Sequence, residues 1–435
     1  MGFPGRRKQP AMNAWPRVAF FTDSFHGMDG VATTSRNLLE AARRQGLHYL
    51  SVRAGQTNLR AQEGSIEVIE LSRGPISFAL DIGLRFDLLL LRHYQKVLRA
   101  VREFEPDVVH ITGPGDLGIM GAFMAHGLKL PLVASWHTNL HEFAARRIGN
   151  LARFLPAAER HRLVTSTERA GLRACLRFYR IARVVLAPNE EQIHLLQSRI
   201  GKPAFPMRRG VDPVLFSPEK RGVRDGVFRL GFVGRLRPEK NVRFLAHLER
   251  ALLARGLKNF RFLIVGDGSE RAWLRANLLQ ADFPGILRGE GLASAIANMD
   301  VFVFPSETDT FGNVILESMA AGTPVVVTSR GGPKYQVQQG ITGFVATDES
   351  DFVDKVELLM QSPGLHQRQR QACRLWASTR SWEHMLEELR EAYEASLVEP
   401  PAQVRKRIEL AGLALPTRGS VGAPQSLVSS DSKPR

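Results

Sequence analysis

Eight short runs of apolar residues recur along the chain, and each stops at a glycine, a proline or a small polar residue. They are Val18–Asp23, Pro106–Ile111, Leu132–Trp136, Val184–Ala187, Arg229–Gly234, Arg261–Gly268, Asp300–Pro305 and Thr323–Thr328. A run of this length without polar alternation suits a strand covered on both faces. Between the runs lie stretches with helical spacing, among them Thr33–Gln45, Leu84–Glu103 and Asn313–Ala321, the last closed by Gly322. Strand alternating with helix predicts a parallel sheet with helices on both sides. After Arg209–Gly210–Val211–Asp212–Pro213, which reads as a linker, the pattern starts again. A chain of 435 residues exceeds what one core sustains and suits two domains. The fold class expected is therefore α/β, with two doubly wound domains facing across a cleft.

The ends of the chain read differently. The first fifteen residues are basic and lack the apolar core of a signal peptide, and they are expected to form a disordered lead-in. Trp382–Leu397 has the spacing of a final amphipathic helix. From Glu399 the composition turns to Pro, Ser, Gly and charge, which predicts a disordered tail over 398–435. No 18-residue stretch is free of charge, so none is expected to span a bilayer. Two cysteines, Cys175 and Cys373, rule out a disulfide scaffold and a four-thiolate zinc site. They fit a reducing cytosol, with both expected as small buried residues.

The net charge of +16 is concentrated in one half. Residues 1–212 carry 30 Lys and Arg against 18 Asp and Glu, whereas 213–396 carry 23 against 22. The densest segment, 142–183, sets ten arginines from Arg146 to Arg183 among Leu151, Phe154, Leu155, Leu163, Leu172 and Phe178. One or two helices of this kind suit an anionic membrane surface. A solvated arginine-rich face over an ordinary core gives the same pattern, and the sequence leaves both open.

Four strand ends carry residues with chemistry. Gly234 is followed by Arg235 and, five residues on, by Lys240, which places a guanidinium and an ammonium around one tight turn. The pair suits a diphosphate leaving group, or else is a solvated surface turn. In Ser306–Glu317, Gly312 precedes a helix whose free amides suit a phosphate. Asp309 there suits sugar hydroxyls, with Glu307 as a neighbouring acid, and Glu317 suits a ribose diol, or else the two are a solvent-facing Asp and a helix-surface Glu. Asp29–Gly30–Val31 offers close backbone approach after the first strand. It is not G-x-G-x-x-G, and no P-loop pattern is present, so a dinucleotide site is disfavoured. A lone histidine is more often structural, but His137 stands at a strand's carboxyl end, where imidazoles are functional more often than average.

Taken in order, DGVAT (29–33), PDVVHITGP (106–114), SWHTN (135–139), RRGVDPVLFSP (208–218), VGRLRPEKN (233–241), LIVGDG (263–268) and DVFVFPSETDTFGNVILESMAAGTPVV (300–326) resemble the family 4 retaining glycosyltransferases of the GT-B fold. The resemblance covers residues 16–396. It implies an acceptor-side Rossmann-like domain over 16–207 and a nucleotide-sugar domain over 208–380. Residues 381–397 would form a helix crossing back to the first domain. It implies that Gly30 approaches the donor and that His137 reaches the transferred sugar. Arg235 and Lys240, beside Gly234, would hold the diphosphate, with the amides of Asn313 and Val314 after Gly312 on the phosphate and Glu317 on the ribose. The family's E-x7-E pattern reads Asp309-x7-Glu317 here, one methylene shorter at the first acid. Thr310 replaces the usual glycine before Phe311.

The implied reaction is transfer of a mannose- or glucose-type hexose from a UDP- or GDP-linked donor to a hydroxyl of a lipid or lipid-linked glycan. It would proceed with retention, with no cofactor and no metal, at the cytosolic face of a membrane. The competing readings are a sugar-nucleotide epimerase on the same fold and a basic nucleic-acid-binding protein. The latter is opposed by the absence of a recognition motif and by the neutral second half.

Overall fold

The structure, a computed structural model, describes residues 15–398 apart from 28, 75, 76, 82, 83 and 88. The expected lead-in up to residue 14 and the tail from 399 lie outside the described residues.

The first sheet has eight strands. In chain order the strands of this half are β1 (Val18–Thr22), β2 (Tyr49–Gly55), β3 (Leu59–Glu63), β4 (Ile66–Ser72), β5 (Ser77–Asp81), β6 (Leu84–Asp87), β7 (Val108–Ile111), β8 (Leu132–Ser135), β9 (Val184–Ala187) and β10 (Ala204–Pro206). The sheet runs β10-β9-β8-β7-β1-β2-β4-β3, with β5 and β6 paired apart as an antiparallel hairpin. All neighbours in the large sheet are parallel except β3, which returns antiparallel along β4. The helices are α1 (Gly30–Arg44), α2 (Tyr94–Phe104), α3 (Asp116–Leu128), α4 (Leu140–Leu151), α5 (Ala157–Tyr179) and α6 (Glu190–Ile200). The continuous helix expected over Leu84–Glu103 is not formed. Asp87 instead accepts the amides of Gly74 and Leu89, which fixes a turn, and α2 begins only at Tyr94.

The second sheet contains β11 (Phe228–Val233), β12 (Phe260–Val265), β13 (Ala281–Gly285), β14 (Val301–Phe304), β15 (Val325–Thr328) and β16 (Gly343–Ala346). Its order is β13-β12-β11-β14-β15-β16, parallel throughout. This is the doubly wound order with its switch point between the first and fourth strands, where a crevice opens at the carboxyl ends. The first sheet has the corresponding reversal between β1 and β7. Around the second sheet lie α7 (Phe244–Ala254), α8 (Arg271–Asn277), α9 (Gly289–Ala297), α10 (Asn313–Ala320), α11 (Glu349–Gln361) and α12 (Pro363–Ser378).

The central strands are wholly buried because helices cover both faces. One face of the first sheet packs on α2 and α3 through Val97, Val101, Leu117 and Met120. The other packs on α1 and on α13 (Trp382–Leu397), whose Trp382, Met385, Leu386, Leu389 and Tyr393 join Val18, Phe20, Val133 and Val184 in one core. The chain's last described helix thus rests on its first domain. Tyr393 reaches through this layer to the buried His110, with its oxygen 2.8 Å from Nδ1. The two crossings between domains touch. The Val211 amide donates to the Arg380 carbonyl at 2.9 Å, and a Cβ on Gly210 would collide with the backbone of Trp382. Cys373 is buried and directs its thiol to the Thr342 carbonyl, but Cys175 is only half-buried, contrary to expectation. It sits on the outer helix α5, where one flank stays open.

Candidate active site

The first domain contributes the loops after β1 and β8. Asp29 caps α1, its carboxylate accepting the amides of Val31 and Ala32 at 3.0 Å. The helix therefore starts at Gly30, on the wall of the cleft. A Cβ on Gly30 would meet nothing within 4 Å, so any close fit there is to something that enters from outside. His137, just beyond β8, is buried. Its Nδ1 lies 3.0 Å from Nη2 of Arg209, whose Nε reaches Thr34 Oγ1 at 3.0 Å. The Arg209 guanidinium lies over the Phe311 ring, 5.0 Å from its centroid.

The second domain contributes the loops after β11, β12 and β14. Gly234 and Gly266 end adjacent strands and press together, since a Cβ on Gly266 would strike the Gly234 carbonyl. This close approach leaves Arg235 and Lys240 on the following turn. Arg235 lies 3.7 Å from Glu239 and keeps Nη1 buried without a partner. Lys240 forms an ion pair with Asp309. Burial alone would raise the Asp309 carboxyl, but Lys240, Ser306 and Arg235 hold it below its ordinary value. Gly312 takes a left-handed φ of +86° and starts α10 without a side-chain cap, which leaves the first amides of that helix, at Asn313 and Val314, facing the cleft. Glu317, one turn on, is partly exposed, yet its carboxyl is surrounded closely enough that desolvation raises it to about 7.

One cleft of about 990 Å³ between the two sheets is lined by Gly30, His137, Gly234, Arg235, Lys240, Asp309, Gly312, Asn313, Val314 and Glu317. These ten residues, all marked in the sequence, thus face a single space. Two cations and an uncapped helix start suit a diphosphate, and the carboxylates suit hydroxyls of a sugar and a ribose. Among the described residues no group of three His, Cys, Asp or Glu is placed to hold a metal ion. Glu307 departs from expectation. It is exposed, lies 3.3 Å from Arg330 and lines a neighbouring groove instead of the cleft.

Sequence reasoning missed three residues of this cleft. Arg209 was hidden in the linker, and nothing in its spacing ties it to His137. Asp23, at the end of β1, is buried and accepts the Leu117 amide at 2.9 Å. Burial raises its carboxyl to about 6 against the pull of that hydrogen bond. Thr310 spans the domains. Its hydroxyl donates to the His137 carbonyl at 2.7 Å, and its own carbonyl accepts from Asn189 Nδ2 at 2.8 Å. A glycine at 310 has no hydroxyl for the first of these bonds.

Beside the cleft runs a second groove, between the α4–α5 hairpin and the turns at Arg237–Asn241 and Glu307–Thr308. Pro114, Leu140, Arg237 and Thr308 line both spaces. The hairpin exposes Leu151 by 66% and Phe154 by 80% at its tip. Among the described residues Arg153 and Arg160, which line the groove, have no ion-pair partner.

Two facing doubly wound sheets with a cleft between them are the architecture of the GT-B class of glycosyltransferases. Comparisons with known proteins agree. Residues 227–362 match the glycosyl transferases group 1 model, and residues 28–215 match glycosyltransferase family 4. A GDP-mannose-dependent alpha-mannosyltransferase of Mycolicibacterium smegmatis is 32% identical over 398 residues, 88% of this chain and 98% of that one. One of Mycobacterium tuberculosis is 35% identical over 312 residues, 69% of this chain and 76% of that one. The solved sucrose-phosphate synthase of Thermosynechococcus elongatus shares the fold, with a TM-score of 0.65 at 16% identity over 92% of this chain and 100% of that one. The chain belongs to the family 4, group 1 glycosyltransferases. It is a hexosyltransferase, moving a hexosyl unit from a nucleotide sugar to an acceptor.

Proposed function

We propose that the enzyme transfers mannose from GDP-mannose, with retention and without a metal, to a hydroxyl of a lipid or lipid-linked acceptor. The donor is suggested by the names of the two relatives. The observation that carries the chemistry is the convergence of Arg235, Lys240 and the open α10 N-terminus opposite His137 in one cleft. The bond from the anomeric carbon to the diphosphate oxygen breaks as the acceptor oxygen bonds to that carbon on the same face. The acceptor's proton passes to the departing diphosphate. Arg235 and Lys240 neutralise the charge that develops there, the part a metal ion plays elsewhere.

The acceptor half supports a membrane-bound partner. No helix among the described residues is long and apolar enough to cross a membrane. The α4–α5 hairpin instead presents exposed Leu151 and Phe154 beside unpaired arginines, a combination suited to resting on an anionic surface. The groove along it leads to the cleft. We place the reaction at the cytosolic face, where anionic lipid and nucleotide sugar meet.

A panel of GDP- and UDP-linked sugars, read by thermal shift and then by turnover with and without EDTA, tests the proposal. GDP-mannose should give the largest stabilisation and EDTA no loss, and NMR of the product should show retained configuration. Preference for another donor, an EDTA-sensitive rate or an inverted product would each overturn its part.

A further inference from the structure

We propose that Arg209 is a positioning residue that fixes His137 as a neutral imidazole with its proton on Nε2, so that the ring meets substrate as a hydrogen-bond donor and not as a base. The tautomer follows from the geometry alone, whereas its use in sugar transfer rests on the function proposed above. A guanidinium carries five N–H donors and no acceptor. The 3.0 Å contact between Arg209 Nη2 and His137 Nδ1 is a hydrogen bond only if Nδ1 offers a lone pair. A neutral ring with a bare Nδ1 has its proton on Nε2.

The surroundings hold this state in place. Arg209 is 4% exposed and is braced on two sides, by Thr34 Oγ1 of α1 and by the Phe311 ring of the second domain. Burial first, then the Arg209 charge and the nearby His110, keep the imidazole from taking a second proton. Nε2 itself is buried and has no partner among the described residues, although His137 lines the cleft. Nη1 of Arg209, also on the cleft wall, is buried and unpartnered as well. Unsatisfied buried donors are costly, and two that share one cleft call for an acceptor from outside. A hydroxyl oxygen of the transferred sugar has the right chemistry for Nε2–H. Because Arg209 leaves the first domain on the linker and stacks on a loop of the second, it also ties the state of the ring to the relative placement of the domains.

Nitrogen-15 NMR of the histidine rings tests this on the free enzyme, with His137→Gln to assign the signal. The wild-type ring should show a protonated Nε2 and a bare Nδ1, unchanged between about pH 6 and pH 8, the range in which an ordinary histidine titrates. In Arg209→Met the ring should become a tautomer mixture that takes up a second proton toward the acid end. Its kcat should fall at least about tenfold, since loss of tautomer control in a catalytic imidazole can cost up to about 10⁴. Arg209→Lys, which keeps a donor and a charge, should restore part of both readouts, and serves also if the methionine variant folds poorly. A proton on Nδ1 in the wild type overturns the proposal whatever the activity. An unchanged kcat in folded Arg209→Met overturns the positioning role. Failure of every nucleotide sugar to turn over would instead sink the functional reading and leave the tautomer result standing.

Discussion

Lys240 and Asp309, 69 residues apart in sequence, form an ion pair inside the cleft. The cation suited to the diphosphate is therefore held by the acid suited to the sugar. On the proposed function, donor binding would redirect both groups and so couple recognition of the two halves of the donor. Lys240→Ala should lower turnover by at least about 10²-fold, as loss of one charge-stabilising group does. Asp309→Ala should also be slow. The double variant should cost less than the product of the two, because the singles remove a shared interaction. Steady-state kinetics on the four proteins of this cycle checks it, and strict multiplicativity would count against the coupling.

Glu317 has its carboxyl raised to about 7 by desolvation, from an ordinary 4.5. A carboxyl whose folded pKa lies above its unfolded one takes up a proton on folding. Its drag on stability is absent below pH 4.5, grows as pH rises towards 7 and is complete above that. Glu317→Gln should therefore melt higher than the wild type at about pH 8 and lose that advantage near about pH 4. It should bind donor more weakly at both ends of the range where the wild type binds. Thermal shift with and without nucleotide sugar reads both effects.

Thr310 joins the loop of one domain to the His137 carbonyl of the other. Thr310→Gly removes the hydroxyl and frees the backbone. One net hydrogen bond of about 1 kcal/mol corresponds to about fivefold weaker donor binding. Thr310→Ser should bind as the wild type does. Isothermal titration with a non-transferable donor analogue separates the two variants, and equal affinities would show that the bridge contributes no more with donor bound than without it.

Arg153 and Arg160 flank the exposed tip formed by Leu151 and Phe154. Arg153→Ala with Arg160→Ala should weaken binding to phosphatidylglycerol vesicles by about 30-fold, at about 1 kcal/mol per arginine. High salt should weaken the wild type in the same way. Leu151→Ser with Phe154→Ser should weaken binding in a manner salt does not mimic. Co-sedimentation measures both, with donor turnover on a soluble acceptor as the control for folding. Wild-type protein that stays in the supernatant at low salt would refute the membrane reading.

The parts that are legible in the sequence share a cause. Val301–Phe304 and Val184–Ala187 read as strands because burial on both faces leaves an unbroken apolar run. His137, Arg235 and Gly312 read as site residues because strands of this kind, lying parallel, bring the loops at their carboxyl ends to one edge of the sheet. Illegible features depend on contacts between distant segments. Arg209 meets His137 only after the chain has passed through three helices and two strands, and neither neighbourhood carries a mark of the other. Thr310 reads as an arbitrary replacement for glycine until the His137 carbonyl is seen beside it. Over Leu84–Glu103 the apolar spacing suits a helix, but Asp87 takes two backbone amides and starts a turn, a local competition that periodicity does not register.

The outward crossing at Gly210 and the return crossing at Ser381–Trp382 lie against each other, with Val211 bonded to Arg380. Two separated connections would resist every relative movement of the domains, and a single one would resist almost none. Two that run side by side act as one narrow joint, and the facing loops are then held in place by their own bridges, such as Thr310 to the His137 carbonyl. Gly210 sets how closely the two strands of that joint sit. A side chain there would splay the crossings and shift the loop of His137 relative to that of Lys240.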